Sequence, residues 1–243
     1  NSILKEKVDN ILCIIPARSG SKGIIHKNIK LLNGLPLLAW TIKQSKKSKY
    51  IDNMRIIVST DDAEYQKLAI KHGAEAPFLR PSEISGDLST DYECISHCVK
   101  WLNVNDNYNP DIILHLRPTQ PCRRADDIDK CIDIFIENME KYDSLRTVIP
   151  FEKSPYKMYS IDSSNNLLKP LFNEISDIKE PYNQCRQVLP PTYLHNGYVD
   201  IIKSDLLRTD RLSGKILAYE MGESDNIDID TEEDWDKARN KLL

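Results

Sequence analysis

No apolar run in the 243-residue sequence approaches the length a bilayer demands, so no segment reads as a membrane-spanning helix. An excess of positive charge is missing as well. Lys and Arg number 33 against 37 Asp and Glu, and a formal net charge of −4 gives no global field toward nucleic acid or an anionic membrane. Neither partner is therefore expected. Paired cysteines are also lacking: Cys13, Cys94, Cys98, Cys122, Cys131 and Cys185 stand singly, without CxxC spacing. Cys94, His97 and Cys98 could share a helical face, but no second ligand pair stands at useful spacing, so buried thiols outweigh a metal site. Residues 1–10 are polar and lack the apolar core of a secretory signal, which sets the expectation of a cytoplasmic protein. Internal repeats and low-complexity tracts are absent too.

What is present is an alternation of strand and helix signals. The runs "ILCII" (11–15), "MRIIVST" (54–60), "DIILHL" (111–116) and "SLRTVIP" (144–150) are short, continuous and β-branched, as strands buried on both faces are. Between them, "PLLAWTIKQSKKS" follows the Asn33-Gly34 turn as a helix with Pro36 in its first turn. "AEYQKLAIKHG" is a helix capped by Asp61 or Asp62 and ended by Gly73, and 125–141 carries an apolar helical stripe. This alternation predicts an α/β fold of three layers around a largely parallel sheet. It breaks over 151–191, where turn residues dominate and a hairpin-like excursion is expected. Strand signals resume at "GYVDII" (197–202) and "KILAYEM" (215–221), and a last helix is capped by Thr231. The chain reads as one domain, 1–243, with that excursion.

Two stretches carry chemistry. After the first strand comes "PARSGSKGIIHKN", where Gly20 and Gly23 permit close backbone approach to a ligand. Arg18 offers a planar fork for phosphate oxygens, and Lys22 and Lys27 add compact positive charge. The loop is neither a GxxxxGK[ST] nor a GxGxxG motif, and taken alone it is balanced between phosphate binding and a solvated turn. In open α/β sheets, however, ligands bind beyond the carboxyl ends of the strands, where this loop begins. Near the C-terminus, "NIDIDTEED" alternates Ile227 and Ile229 with Asp228 and Asp230. As an extended strand it would point both carboxylates to one face, a pair suited to Mg²⁺ bridging to phosphates. A lone DxD is common, and the phosphate loop is what makes this one informative.

Six stretches, "IIPARSGSKGIIHKN", "IIVSTDD", "LRPSEISGD", "LRPTQPCR", "HNGYVDI" and "IDIDTEEDW", occur in the order seen in the CMP-sialic acid synthetases, the acylneuraminate cytidylyltransferases. The resemblance runs from about Ile11 to Trp235 and extends to the PAR-x-GSKG-x₃-KN pattern. It implies a nucleotidyltransferase fold of Rossmann-like type with a dimerisation excursion, and hence a homodimer. It implies transfer from CTP to the anomeric hydroxyl of a nine-carbon keto-sugar acid with Mg²⁺ as cofactor. The nucleotide site it implies is Arg18, Ser21, Lys22, Lys27, Asn28, Arg80, Asp91 and Arg117. Arg18, Lys22, Asp228 and Asp230 would be catalytic, with the two aspartates on the metal. Lys157, Arg186 and Asn196 fall at the family's sugar-acid positions.

Three residues depart from the family pattern: Arg117 where glutamine is usual, Leu194 where arginine is frequent, and Asp91 where a small hydroxyl residue occurs. They point to an altered acceptor, such as a legionaminic- or pseudaminic-type acid. Other readings are a nucleotidyltransferase for sugar 1-phosphates, a non-catalytic nucleotide-binding module, and a glycosyltransferase, whose DxD usually follows a central strand and not the chain's end. His195 and His115 read as structural, and Trp40, Trp101 and Trp235 as helix packing.

Overall fold

The computed structural model describes residues 8–222 and 226–243. Six strands form the central sheet: β1 (Ile11–Pro16), β2 (Met54–Ser59), β3 (Ile112–His115), β4 (Ser144–Pro150), β5 (Tyr193–Lys203) and β6 (Ile216–Glu220), in the order β6-β4-β5-β3-β1-β2. Helices α1 (Leu37–Ser45), α2 (Ala63–Lys71), α3 (Asp91–Asp106), α4 (Ala125–Asn138) and α5 (Glu232–Lys241) surround it. β1 pairs in parallel with β2 and β3, and β6 with β4, whereas β5 runs antiparallel to both β3 and β4. The reversal follows from connectivity. β4 runs out into the excursion and returns beside itself as β5, and only a crossover would have kept the strands parallel.

Alternation along β1 builds the three layers. Ile11, Cys13 and Ile15 face one core, shared with Leu38 and Ile42 of α1 and Ile132 and Phe135 of α4. Leu12 and Ile14 face the other, where α3 contributes Cys94, Ile95, Cys98 and Leu102. A third, smaller cluster joins Ile24 of the loop after β1 to Ile229 and to Trp235 and Ala238 of α5. That cluster brings together two stretches some two hundred residues apart in sequence.

Several expected elements differ in detail. Pro36 is the residue before α1, not within it. Asp62, not Asp61, caps α2, its carboxylate accepting from the Glu64 and Tyr65 amides, and Gly73 at φ +93° follows its end. Residues 226–230 belong to no strand: Ile229 donates its amide to Thr119 O at 2.8 Å and is buried, while Asp228 and Asp230 are exposed. Over 151–191 lie two small hairpins, Tyr159–Asp162 with Leu167–Pro170 and Glu174–Ile175 with Ile178–Lys179. Burial raises the pKa of the Cys94 and Cys98 thiols, and His97 packs edge-on against Phe78. No group of three His, Cys, Asp or Glu that could hold a metal occurs among the described residues.

One buried cation ties the sheet to α1. Arg123, 2% exposed, donates from Nε to Tyr198 O at 2.5 Å, from Nη2 to Arg117 O at 2.9 Å and from Nη1 to Thr41 Oγ1 at 3.3 Å. Burial pulls its pKa down to about 10. Arg123→Met leaves the buried Tyr198 carbonyl without this donor and is expected to lower stability by about 2 kcal/mol. Urea denaturation checks this, and an unchanged midpoint would show that the arginine is no anchor.

Candidate active site

The loop after β1 is pinned before any ligand arrives. Ala17 N donates to Ser59 O at 2.9 Å, and the Ser19 amide and hydroxyl both bond Asp61, at 2.8 and 2.9 Å. Asn28, buried, donates from Nδ2 to Arg18 O at 3.0 Å and so closes the loop on itself. Lys27 fixes its far end, with Nζ 2.7 Å from Ile229 O and 3.2 Å from Asp230 Oδ1. Gly23 explains the tightness there, since a Cβ on it would lie 2.5 Å from Asp230 O.

These residues line a cavity of about 360 Å³ at the carboxyl ends of β1 and β3. Of the expected nucleotide contacts, Arg18, Ser21, Lys22, Lys27 and Asn28 line it from the loop. Arg80, Asp91 and Arg117 line it from elsewhere in the fold, and Asp230 closes one side. Arg80 is 6% exposed, and its Nη2 donates to Ser59 O at 2.9 Å while Nε has no partner. A buried donor left open beside a cavity is a place for a ligand acceptor. Two acidic residues to which the sequence assigned no role in the site also shape it. Asp61 holds Ser19, and Asp87 bridges Arg18 Nη1 and Lys22 Nζ, both at 2.7 Å. Those two hydrogen bonds, Lys22 first, hold the Asp87 carboxyl below its usual pKa.

Asp228 and Asp230 are the described pair able to hold a divalent cation. Although the Asp228 side chain reaches solvent, partial desolvation by the surrounding protein and then the neighbouring Asp230 charge raise its pKa, against a hydrogen bond from Thr119. Adjacent carboxylates that repel one another are relieved by a hard cation, so this donor pair could hold one.

The opposite wall is a charge cluster. Arg117 donates from Nη1 to Asp200 Oδ2 at 2.7 Å and from Nη2 to Asp91 Oδ2 at 2.9 Å, and His195 Nε2 bonds Asp200 Oδ1 at 2.7 Å. A bulge in β5 makes this possible: residues 196–199 stand opposite Thr147 alone, and Gly197, at φ +64°, lies against the guanidinium. Burial opposes ionisation of Asp200, but His195 and Arg117 outweigh it and hold its carboxyl far below the usual range.

The expected sugar contacts lie elsewhere in the chain. Asn196 is buried in the bulge, its Oδ1 accepting from Thr147 Oγ1 at 2.6 Å. Lys157 Nζ donates to Gln184 O at 2.7 Å within the excursion, and Arg186 bonds Glu152 O. None of the three lines the cavity of its own chain.

His115, at the end of β3, is buried 4.0 Å from Asp91 Oδ1, with Arg117, Asp200 and Arg123 also nearby. Burial lowers its pKa from 6.5 to about 4. The folded state therefore binds fewer protons than the unfolded state between those values, and stability is full above pH 6.5 and falls as the pH drops toward 4. The loss is about 3 kcal/mol. Denaturant titration of the wild type and His115→Leu checks it: the variant should lose this slope, and retention of the slope would refute its origin in His115.

The comparisons agree with the geometry. A family described as Cytidylyltransferase is matched over residues 12–237. The CMP-N,N'-diacetyllegionaminic acid synthase of Legionella pneumophila is 34% identical over 236 residues, covering 93% of this chain and 93% of that protein. The post-translational flagellin modification protein B of Campylobacter coli is 31% identical over 230 residues, 94% of this chain and 93% of its own. In fold, a CMP:2-keto-3-deoxy-manno-octonic acid synthetase solved with CTP superposes over 96% of this chain and 98% of that one, with a TM-score of 0.66 at 14% identity. A pinned cationic loop that meets Asp230 in one cavity and a family match across nearly the whole length make this chain an enzyme of the cytidylyltransferase family.

Proposed function

We propose that the protein transfers the cytidylyl group of CTP to the anomeric hydroxyl of a nonulosonic acid, a nine-carbon 2-keto sugar acid, releasing pyrophosphate. The observation that carries this reading is the junction of the cationic loop with Asp230 at one end of a single cavity. Attack at the α-phosphorus builds charge on the departing pyrophosphate, and Arg18, Lys22 and Lys27, which line one cavity, would neutralise it. Asp228 and Asp230 would hold Mg²⁺, which would supply positive charge to offset the same build-up. The open Arg80 Nε supports a role toward the base. The printed name of the Legionella relative supports the acceptor class.

The same reading includes a homodimer. Ile161, Leu167, Leu168 and Leu171 of the excursion are each more than half exposed, an apolar surface that a second copy would cover. Lys157 and Arg186 on this arm would then serve the neighbour's acceptor. The six free cysteines suit a reducing, cytoplasmic setting. Sedimentation at micromolar concentration checks the assembly, with twice the 28.0 kDa chain mass expected and a monomer contradicting it.

The function is tested by pyrophosphate release from CTP with a panel of N-acetylneuraminic, legionaminic, pseudaminic and shorter keto-sugar acids, beside sugar 1-phosphates. Turnover with one nonulosonic acid is expected. Activity confined to a sugar 1-phosphate would overturn the acceptor class. For the carboxylate pair, Asp230→Ala should cut turnover about 100-fold or more with little change in melting temperature, the side chain being 74% exposed. Undiminished release would sink the metal assignment.

A further inference from the structure

The ion pairs of Asp87 are set in an unusual place. Its two oxygens take up Arg18 and Lys22, the two loop cations assigned above to phosphate, each at 2.7 Å. A carboxylate with an oxygen on each of two cations presents them with the charge and spacing of a phosphate edge. We propose that Asp87 is an internal counter-ion that trades places with phosphate: it neutralises the loop when the cavity holds no nucleotide, gives way to the triphosphate, and returns as pyrophosphate leaves. This deepens the proposed function and rests on its assignment of Arg18 and Lys22 to phosphate.

Three features support exchange in preference to a fixed brace. The pairs lie at the surface, with side-chain exposures of 34% for Arg18, 77% for Lys22 and 44% for Asp87, so breaking them in water costs little. Compare the cluster on the opposite wall, where Asp200, 6% exposed, is locked to Arg117 from within the bulge. Asp87 also sits on a short connection between the turn at Ser82–Ile84 and α3, flanked by Gly86, where a Cβ would meet nothing closer than Ser89 Oγ at 3.9 Å. Its neighbour Leu88 is 95% exposed, so no packing holds this segment down. By contrast Lys27, the cation that fixes the loop's far end, is only 14% exposed and bonded to backbone, and it would keep its place during the exchange.

The charge balance also accounts for an otherwise awkward fact. Without Asp87, Arg18 and Lys22 would repel one another and attract any anion, whereas Lys27 is already paired with Asp230. With Asp87 present, binding is an exchange of one anion for another, which favours ligands of higher charge: a triphosphate over a monophosphate.

The test measures binding of inorganic pyrophosphate and of CTP by calorimetry, with no acceptor present, to wild type, Asp87→Asn and Asp87→Glu. Asp87→Asn should bind pyrophosphate about threefold to tenfold more tightly, and Asp87→Glu should restore wild-type affinity. Binding that is equal, weaker or absent in Asp87→Asn would overturn the exchange, the weaker case showing a carboxylate that braces the cations for the ligand. A second readout uses unaltered protein: pyrophosphate should speed hydrogen exchange at the amides of residues 87–89, and unchanged or slower exchange would count equally against it. Because neither measurement uses an acceptor, failure of the acceptor assignment leaves both results decisive for Asp87.

Discussion

Everything in the cavity depends on one close approach. The loop after β1 and the carboxylate segment before α5 meet where Gly23 lies against the Asp230 carbonyl, a contact that any Cβ would break. Around it, Ile24 and Ile229 share a small apolar cluster, and Lys27 spans the seam to the Ile229 carbonyl and the Asp230 carboxylate. Apolar burial supplies the adhesion, and glycine sets the distance. The charged groups could not bring these stretches together by themselves, because exposed ion pairs contribute little in water.

A protein with net charge −4 nevertheless concentrates cations around one cavity, and it does so by giving all but Arg80 an acidic companion. Arg117 is held by two carboxylates from α3 and the β5 bulge and is fixed in orientation. Lys27 is tied to backbone and acts as a strut. Arg18 and Lys22 share the surface carboxylate of Asp87. Arg80, alone among these, is buried with an open donor. The range from locked to loosely paired runs across the cavity from the β5 wall to the loop.

Much of this was legible in the sequence. The buried runs of β1, β2 and β4, the helix stop at Gly73, the helix start at Thr231 and the loop cations are local signals, and local signals survive folding. The direction of β5 was not legible, because it depends on where the excursion returns, and its bulge hides in "NGYV". The helix α3 was not separated out, although Thr90 and Glu93 form a capping box that a search for T-x-x-E would have found. Asp228 and Asp230 expose their carboxylates as the alternation suggested, yet the segment has no ladder partner, so its register comes from the buried Ile229 and from contacts with Gly23 and Lys27. Asp87 and Asp61 act across 69 and 42 residues of chain, a distance at which residue type carries no address.

The measurement that bears most directly on this account is turnover of Gly23→Ala. A methyl group at this seam must push the loop away from Asp230 by tenths of an ångström or more while removing no charged side chain. The account predicts a loss of about 100-fold in pyrophosphate release with a melting temperature close to wild type, since misplacement of that order alone has such an effect. Wild-type turnover in this variant would contradict it, showing that loop and carboxylates act without being held in contact.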